Sequence, residues 1–377
     1  MEVASRPTGG ATFACMSRNG YRRIVFVVAG AAVLAAACLA GVITAQAAPS
    51  DHDGINAQHY EIGLFGDMPY GATGRAQYPN VLADINTHKL AFSAADGDIK
   101  NGSEPCYADV DGSAAAAGKP DIYKYALDHF NQLVDPVVVV PGDNEWTDCD
   151  RPATAGPTFD AVERLQYERQ LFYPTDQSLG QRTITMTRQS AAYPENVRWT
   201  YGPVTYVGVN IPGSNNDWIA DGDTANGPQA EADAEYTGRN AANLQWIRES
   251  FAAAKANGSA AIMIVSQADM FADTPSTPVG TTTDKTDHFA DTLAALARES
   301  AAFGKPVVLV NGDSHFFVAD KPLTDDAGNV IENFTRVMTF GSGQSHWTSA
   351  TIDLNDPDVF TFHQHIVAAN VPAYHFN

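Results

Sequence analysis

The sequence predicts an α/β domain in which two packed, mixed β-sheets are flanked by helices. Two patterns carry this prediction. Short apolar runs alternate with amphipathic ones over most of the chain, as strands and helices do in a layered α/β domain. After Glu332 the pattern turns to strands alone. Strands are expected at Tyr60–Phe65, Leu90–Ala95, Val137–Pro141, Thr205–Asn210, Ala261–Val265 and Val307–Val310. Helices are expected near Ile122–Val134, Phe159–Phe172, Ala230–Ala256 and Phe289–Phe303. The closing runs "NFTRVMTF", "SATIDL" and "VFTFHQHIV" read as antiparallel strands. No repeat, long low-complexity linker or domain boundary interrupts the order.

The first 47 residues are set apart. Arg18, Arg22 and Arg23 precede the apolar run "IVFVVAGAAVLAAACLAGVITA", which ends in Ala45-Gln46-Ala47. That is the pattern of a secretory signal peptide cleaved after Ala47, so a secreted or periplasmic protein is expected. The run is also about as long as a membrane span, which makes an N-terminal anchor the alternative. Cleavage would remove four arginines and one glutamate, leaving 19 basic and 43 acidic residues and a formal net charge of −24. Such a surface repels nucleic-acid backbones and anionic lipid, so neither nucleic acid nor a stable membrane association is expected. Of the four cysteines, Cys106 and Cys149 would remain, and an even pair in an oxidising compartment predicts a disulfide.

Chemistry gathers at the strand ends. Tyr60–Phe65 is followed by Gly66-Asp67, and Leu90–Ala95 by Asp96-Gly97-Asp98, with Lys100 two residues on. Val137–Pro141 runs into Gly142-Asp143-Asn144-Glu145, Ala261–Val265 into Ser266-Gln267, and Val307–Val310 into Asn311-Gly312-Asp313-Ser314-His315. One Gly-Asp pair is a turn signal. Four at strand ends, where neighbouring tips of such sheets converge on ligands, predict a site. There is no Gly-x-Ser-x-Gly elbow, Walker loop or dinucleotide fingerprint, so serine hydrolysis and nucleotide binding of those kinds have no support.

The order of these tips resembles the calcineurin-like metallophosphoesterases, whose pattern is D-x-H, GD, G-N-H-D/E, a lone His and G-H-x-H. The likeness extends to neutral context, in "NVRWTYGPVTYVGVN" and "NLQWIRESFAAAKANGSAAIMIV". It implies a four-layer sandwich over residues 58–377 and two divalent metal ions that bind a phosphate and activate water. Carried over residue by residue, it makes Asp67, Asp98, Asp143, Gln267, Asp313 and His315 the metal ligands. Only Asp67, Asp98 and His315 keep the family's residue. Pro69 stands where D-x-H has its His, and Asn144 where the family has its general acid. Gln267 and Asp313 each replace a His, and Asp143 replaces an Asn.

The substitutions support two functions. Oxygen donors in place of imidazoles suit manganese, magnesium or calcium, with iron or zinc as alternatives. The first reading is therefore an exported metal-dependent phosphoesterase acting on a small phosphorylated substrate, whether monoester, diester or polyphosphate. The second is a non-catalytic binding protein on the same scaffold, because Asn144 has no titratable proton. Lys100 could pair with the carboxylates or hold a phosphate, or be a solvated loop lysine. His346 in "GSGQSHW" could replace the missing acid. His363 and His365, alternating on the last strand, read as structural or exposed. Glu145 and Asp148 are further acids without a distinct role, and "NIPGSNNDW" could line a pocket. Asn101, Asn257 and Asn333 stand in N-x-S/T triplets.

Overall fold

In the computed structural model, residues 57–152, 156–219, 228–271 and 288–372 are described, all within one compact unit, Ala47–Asn377. The expected signal segment lies outside them. Among the described residues no helix is long and apolar enough to cross a membrane.

The strands are β1 (His59–Phe65), β2 (Ser93–Ala95), β3 (Val137–Val139), β4 (Thr187–Arg188), β5 (Val197–Tyr201) and β6 (Val204–Gly208). They continue as β7 (Ala261–Val265), β8 (Val307–Asn311), β9 (Val318–Asp320), β10 (Phe334–Met338), β11 (Trp347–Asp353) and β12 (Phe360–His365). Between them lie α1 (Gly71–Ile85), α2 (Ser113–Ala117), α3 (Ile122–Phe130), α4 (Ala161–Phe172), the single turn α5 (Gly213–Asn216), α6 (Gln229–Ala256) and α7 (Ala290–Phe303).

Two mixed sheets result, in the orders β12-β11-β1-β2-β3 and β4-β5-β6-β7-β8-β10-β9. Alternation along each strand decides what faces what. Tyr60, Ile62 and Leu64 of β1 pack with Tyr206, Met263, Val308 and Val337 of the second sheet, forming one core between the sheets. Phe65 and Val139, on the opposite face, pack under α1, α3 and α4 with Tyr78, Tyr123 and Phe172. Ile262 and Leu309 do the same beneath α6 and α7 with Ile247, Phe251 and Leu296. Strands buried on both faces must be apolar throughout, which is why β7 and β8 read as unbroken aliphatic runs.

Three expectations are corrected. The closing strands are not all antiparallel: β11 and β12 are, but β10 runs parallel to β8, with Phe334 opposite Val307. Strand β2 is shorter than Leu90–Ala95: it spans Ser93–Ala95, and the Leu90 N–H goes to Asp135 Oδ2 at 2.9 Å. Helix α1 was not expected, since Gly71, Gly74 and the internal Pro79 disguise it. Its helical stripe, Tyr78, Val81, Leu82 and Ile85, is buried against the first sheet.

The predicted disulfide is present. Cys106 and Cys149, 5.6 Å apart at Cα, join the segment after β2 to the one after β3.

Candidate metal centre

The tips of β1, β2, β3, β7 and β8 converge at one end of the sheets, and their glycines make the convergence possible. A Cβ on Gly142 would lie 2.1 Å from Asp98 Oδ1, and one on Gly312 would lie 1.9 Å from Asp67 Oδ2. Only glycine leaves that space to the carboxylates. After the glycines, Asp67, Asp98, Asp313 and His315 have φ of 49°, 57°, 74° and 68°, in the left-handed region. Asp and His enter this region more readily than most residues, and its use at several adjacent tips is a pattern that collects at binding sites.

Asp67, Asp98 and His315 meet. Their ligand atoms all lie within 4.8 Å of one another, with both carboxylates buried and the imidazole partly exposed. His315 Nε2 is 3.5 Å from Asp67 Oδ1, and the N–H of Asp313 donates to Asp67 Oδ2 at 2.9 Å. Asp98 joins the β2 and β3 tips: its Oδ1 accepts the Asn144 N–H at 3.1 Å, and its Oδ2 accepts from the Asn144 amide and the Tyr70 hydroxyl.

Asp143, Gln267 and Asp313 form a neighbouring group engaged with the protein itself. Asp143 accepts from the Ser214 hydroxyl and, at 3.3 Å, from Gln267 Nε2. Gln267 Oε1 accepts the Gly213 N–H, and Asp313 Oδ2 accepts the Asp269 N–H at 3.0 Å. These oxygens would have to release their present donors to bind an ion.

Asn144 lies at the β3 tip, and its side-chain amide is also 2.6 Å from the Tyr70 hydroxyl. Lys100 is not a solvated loop lysine: it is 1% exposed, and its ammonium donates to the Asn101 carbonyl at 3.0 Å. Burial holds its pKa below the usual lysine value, although Asp148, Glu145, Asp98 and Asp143 act in the opposite sense. His346 contacts the β12 end of the molecule, with Nδ1 accepting the Val367 N–H at 3.3 Å and its ring edge against Phe340.

Tyr70, Arg151 and Arg239 carry no sequence signal, whereas Glu145, Asp148 and the "NIPGSNNDW" stretch acquire definite roles. Tyr70 is buried among Asp67, Asp98 and Asn144, and its ring meets the His315 edge at 5.2 Å. Burial, then the charges of Asp98 and Asp67, raise its pKa well above the usual tyrosine value, so the hydroxyl remains a donor. Glu145 fastens two tips together by accepting the N–H groups of Gly142 and Asp98. The "NIPGSNNDW" stretch forms α5, where Ser214, Asn215, Asn216 and Asp217 all have positive φ. Asn and Asp tolerate this region, and the buried Arg239 of α6 secures it by donating to the Asn216 carbonyl at 2.9 Å. The turn delivers Ser214 to Asp143 and, at 2.9 Å, to Asp148, which Arg151 also contacts at 2.7 Å.

The electrostatics are those of crowded carboxylates. Burial, and then the charges of Asp143, Asp67 and Glu145, raise Asp98 well above the ordinary carboxylate range, and burial with the charges of Asp148 and Asp313 does the same for Asp143. Burial likewise raises Asp96, Glu145 and Asp313, the last to about 6. For His315, burial is the largest effect and lowers the pKa, but Asp67 and Asp313 together outweigh it and leave the imidazole raised. Asp96 Oδ1 and Glu145 Oε2 have no hydrogen-bond partner. Two carboxylates and one imidazole converging within a buried acidic cluster fit a divalent cation.

No family model matches the chain, and no curated protein matches it. Among solved structures, one titled "GAP50 the anchor in the inner membrane complex of Plasmodium" is similar at 10% identity, over 82% of this chain and 89% of that one. Its TM-score of 0.40 is too low to carry an argument.

Proposed function

We propose that this protein is a metal-dependent phosphoesterase of the calcineurin-like type, holding one divalent ion at Asp67, Asp98 and His315. The observation that supports it is the meeting of these three side chains from the β1, β2 and β8 tips, each on left-handed backbone. The order of the five tips and the two packed mixed sheets support the corresponding four-layer sandwich. Manganese suits the mixed oxygen and nitrogen set best, with zinc or iron as alternatives. Magnesium and calcium would be expected had all the ligands been oxygens.

When bound, the ion supplies positive charge that polarises a phosphoryl oxygen. The remaining work falls to the chain. Tyr70 and Asn144 orient Asp98 through donated hydrogen bonds, and the Asp313 N–H orients Asp67. Lys100 is buried, so it offsets carboxylate charge and does not meet substrate. Arg151, partly exposed, places a cation against Ser214 and Asp148, beside Asp143. Asn144 gives the leaving group no proton, a loss worth about 10²–10⁴-fold. The substrates favoured are therefore small phosphodiesters or polyphosphates with good leaving groups.

A second reading, a non-catalytic binding protein on this scaffold, is favoured by the engagement of Asn144 with Asp98 and Tyr70 and of Asp143 with Ser214. Metal analysis of the purified, tag-free protein separates the two, followed by turnover of an activated aryl phosphodiester with Mn²⁺, Mg²⁺ or Ca²⁺. We expect Mn²⁺-dependent turnover that Asp98→Asn abolishes. Metal binding without such turnover would leave the binding protein, and no metal binding would sink the proposal.

A further inference from the structure

A second group of metal-ligating side chains lies on the first sheet, among β1, β12 and the connection before β2. Glu61 of β1, His365 of β12 and His88, from the connection between α1 and β2, bring a carboxylate oxygen and two ring nitrogens within 4.8 Å of one another. Glu61 lies four residues before the end of β1, which along a strand is roughly 13 Å. The group is therefore separate from the centre described above and independent of its function.

The Glu61 carboxylate lies at ion-pair distance from both imidazole rings. His365 Nε2 is 3.8 Å from Glu61 Oε1, and His88 Nδ1 is 3.8 Å from Glu61 Oε2. Both separations exceed hydrogen-bonding distance. Ligands around a tetrahedral ion, with bonds of about 2.0–2.1 Å, lie about 3.3 Å apart. Small side-chain rotations close that difference, and the rings are already held for it. His365 stacks on the buried Trp347 indole at 3.8 Å, and the His88 ring meets the same indole edge-on at 4.9 Å. The indole is fixed in turn by its N–H, which donates to Asp84 at 2.8 Å. The Ser349 hydroxyl hydrogen-bonds His365 Nε2 at 2.8 Å, so that nitrogen must give up this partner to bind an ion.

We propose that Glu61, His88 and His365 bind a single late first-row divalent ion, zinc foremost, through two imidazoles and one carboxylate. Imidazole donors select zinc, nickel or copper over magnesium and calcium. Three protein ligands leave a coordination position for water or for Ser349. The ion would link three segments distant in sequence. It would also pin β12, an edge strand, to β1 across the intervening β11. His365 is thereby reassigned from a structural residue to a ligand.

The test uses tag-free Asp98→Asn protein, in which the first centre is disabled, titrated with Zn²⁺ and separately with Co²⁺. We expect one equivalent of Zn²⁺ to bind and to raise the melting temperature, and Co²⁺ to give a visible absorption band. Adding His88→Gln or His365→Gln should weaken Zn²⁺ by more than the ~10–100-fold that loss of a supporting residue costs, and should abolish the band. His88 lies on a connection and is partly exposed, so His88→Gln carries the test should His365→Gln fail to fold. Absence of Zn²⁺ binding in the Asp98→Asn protein, or unchanged binding in the folded histidine variants, would overturn the proposal.

Discussion

Asp98 stands where the β2 and β3 tips meet, and its neighbours set what each substitution costs. Asp98→Asn preserves shape while removing a charge that burial and three nearby carboxylates oppose. Without metal that relief is offset by a new amide N–H set against the donors that Asp98 accepts from. The variant should therefore melt close to the parent, and the stabilisation that Mn²⁺ gives the parent should vanish. Calorimetry with and without Mn²⁺ reads both effects. Tyr70→Phe removes the hydroxyl that serves Asp98 and lies against the Asn144 amide. Leaving such buried groups short of a partner should cost about 1–3 kcal/mol in urea denaturation, with the sheets intact. Neither role for Tyr70 is legible in the sequence, because a tyrosine three residues after Asp67 has no signature until the fold folds it back over the carboxylates. Asp67, Asp98 and His315 stood in the sequence only among six candidate ligands at strand ends, and their residue types could not say which of the six meet.

At the scale of elements, the tips depend on glycine and on the disulfide. Gly142→Ala places a methyl 2.1 Å from Asp98 Oδ1, so the carboxylate or the β3 tip must move. We expect Mn²⁺ affinity to fall by ~10–100-fold, the scale on which misoriented ligands lose affinity, as isothermal titration would show. The Cys106–Cys149 bond closes a loop with a sequence separation of 43. Replacing both cysteines by alanine should lower stability by up to about 4 kcal/mol in the chain-entropy model. Denaturation of the double variant against the parent measures the loss. Strand positions were legible within a few residues, since apolar runs buried on both faces leave a clear pattern. The parallel course of β10 was not, because its apolar run would read the same in either direction. Helix α1 was hidden by its glycines and Pro79, whose poor propensity is overridden by burial of Tyr78, Val81, Leu82 and Ile85.

The whole molecule carries its acidity unevenly, and this gives the protein without metal a pH dependence. Burial raises Asp313 to about 6, and burial with the charge of Asp148 raises Asp150 to about 7, against 3.8 for a free aspartate. His315 is raised as well. Groups raised on folding bind protons more tightly in the native state, so their stabilisation is complete below the unfolded pKa and lost as pH rises through the folded one. Metal-free protein should therefore lose melting temperature between about pH 4 and pH 7. Mn²⁺, which must displace those protons, should restore more at pH 8 than at pH 5. Thermal melts across this range, with chelator and with Mn²⁺, check both signs. The sequence by itself determined the layered α/β class, the cysteine pair, the acidic surface and the row of acidic strand tips, because periodicity and residue type report burial and turns locally. Only the tertiary structure decided which side chains meet. It placed Asp67 and Asp98 with His315, engaged Asp143 and Gln267 with the α5 turn, and set Glu61 beside His88 and His365. Contacts between residues hundreds of positions apart depend on how the sheets pack, and no local pattern encodes that.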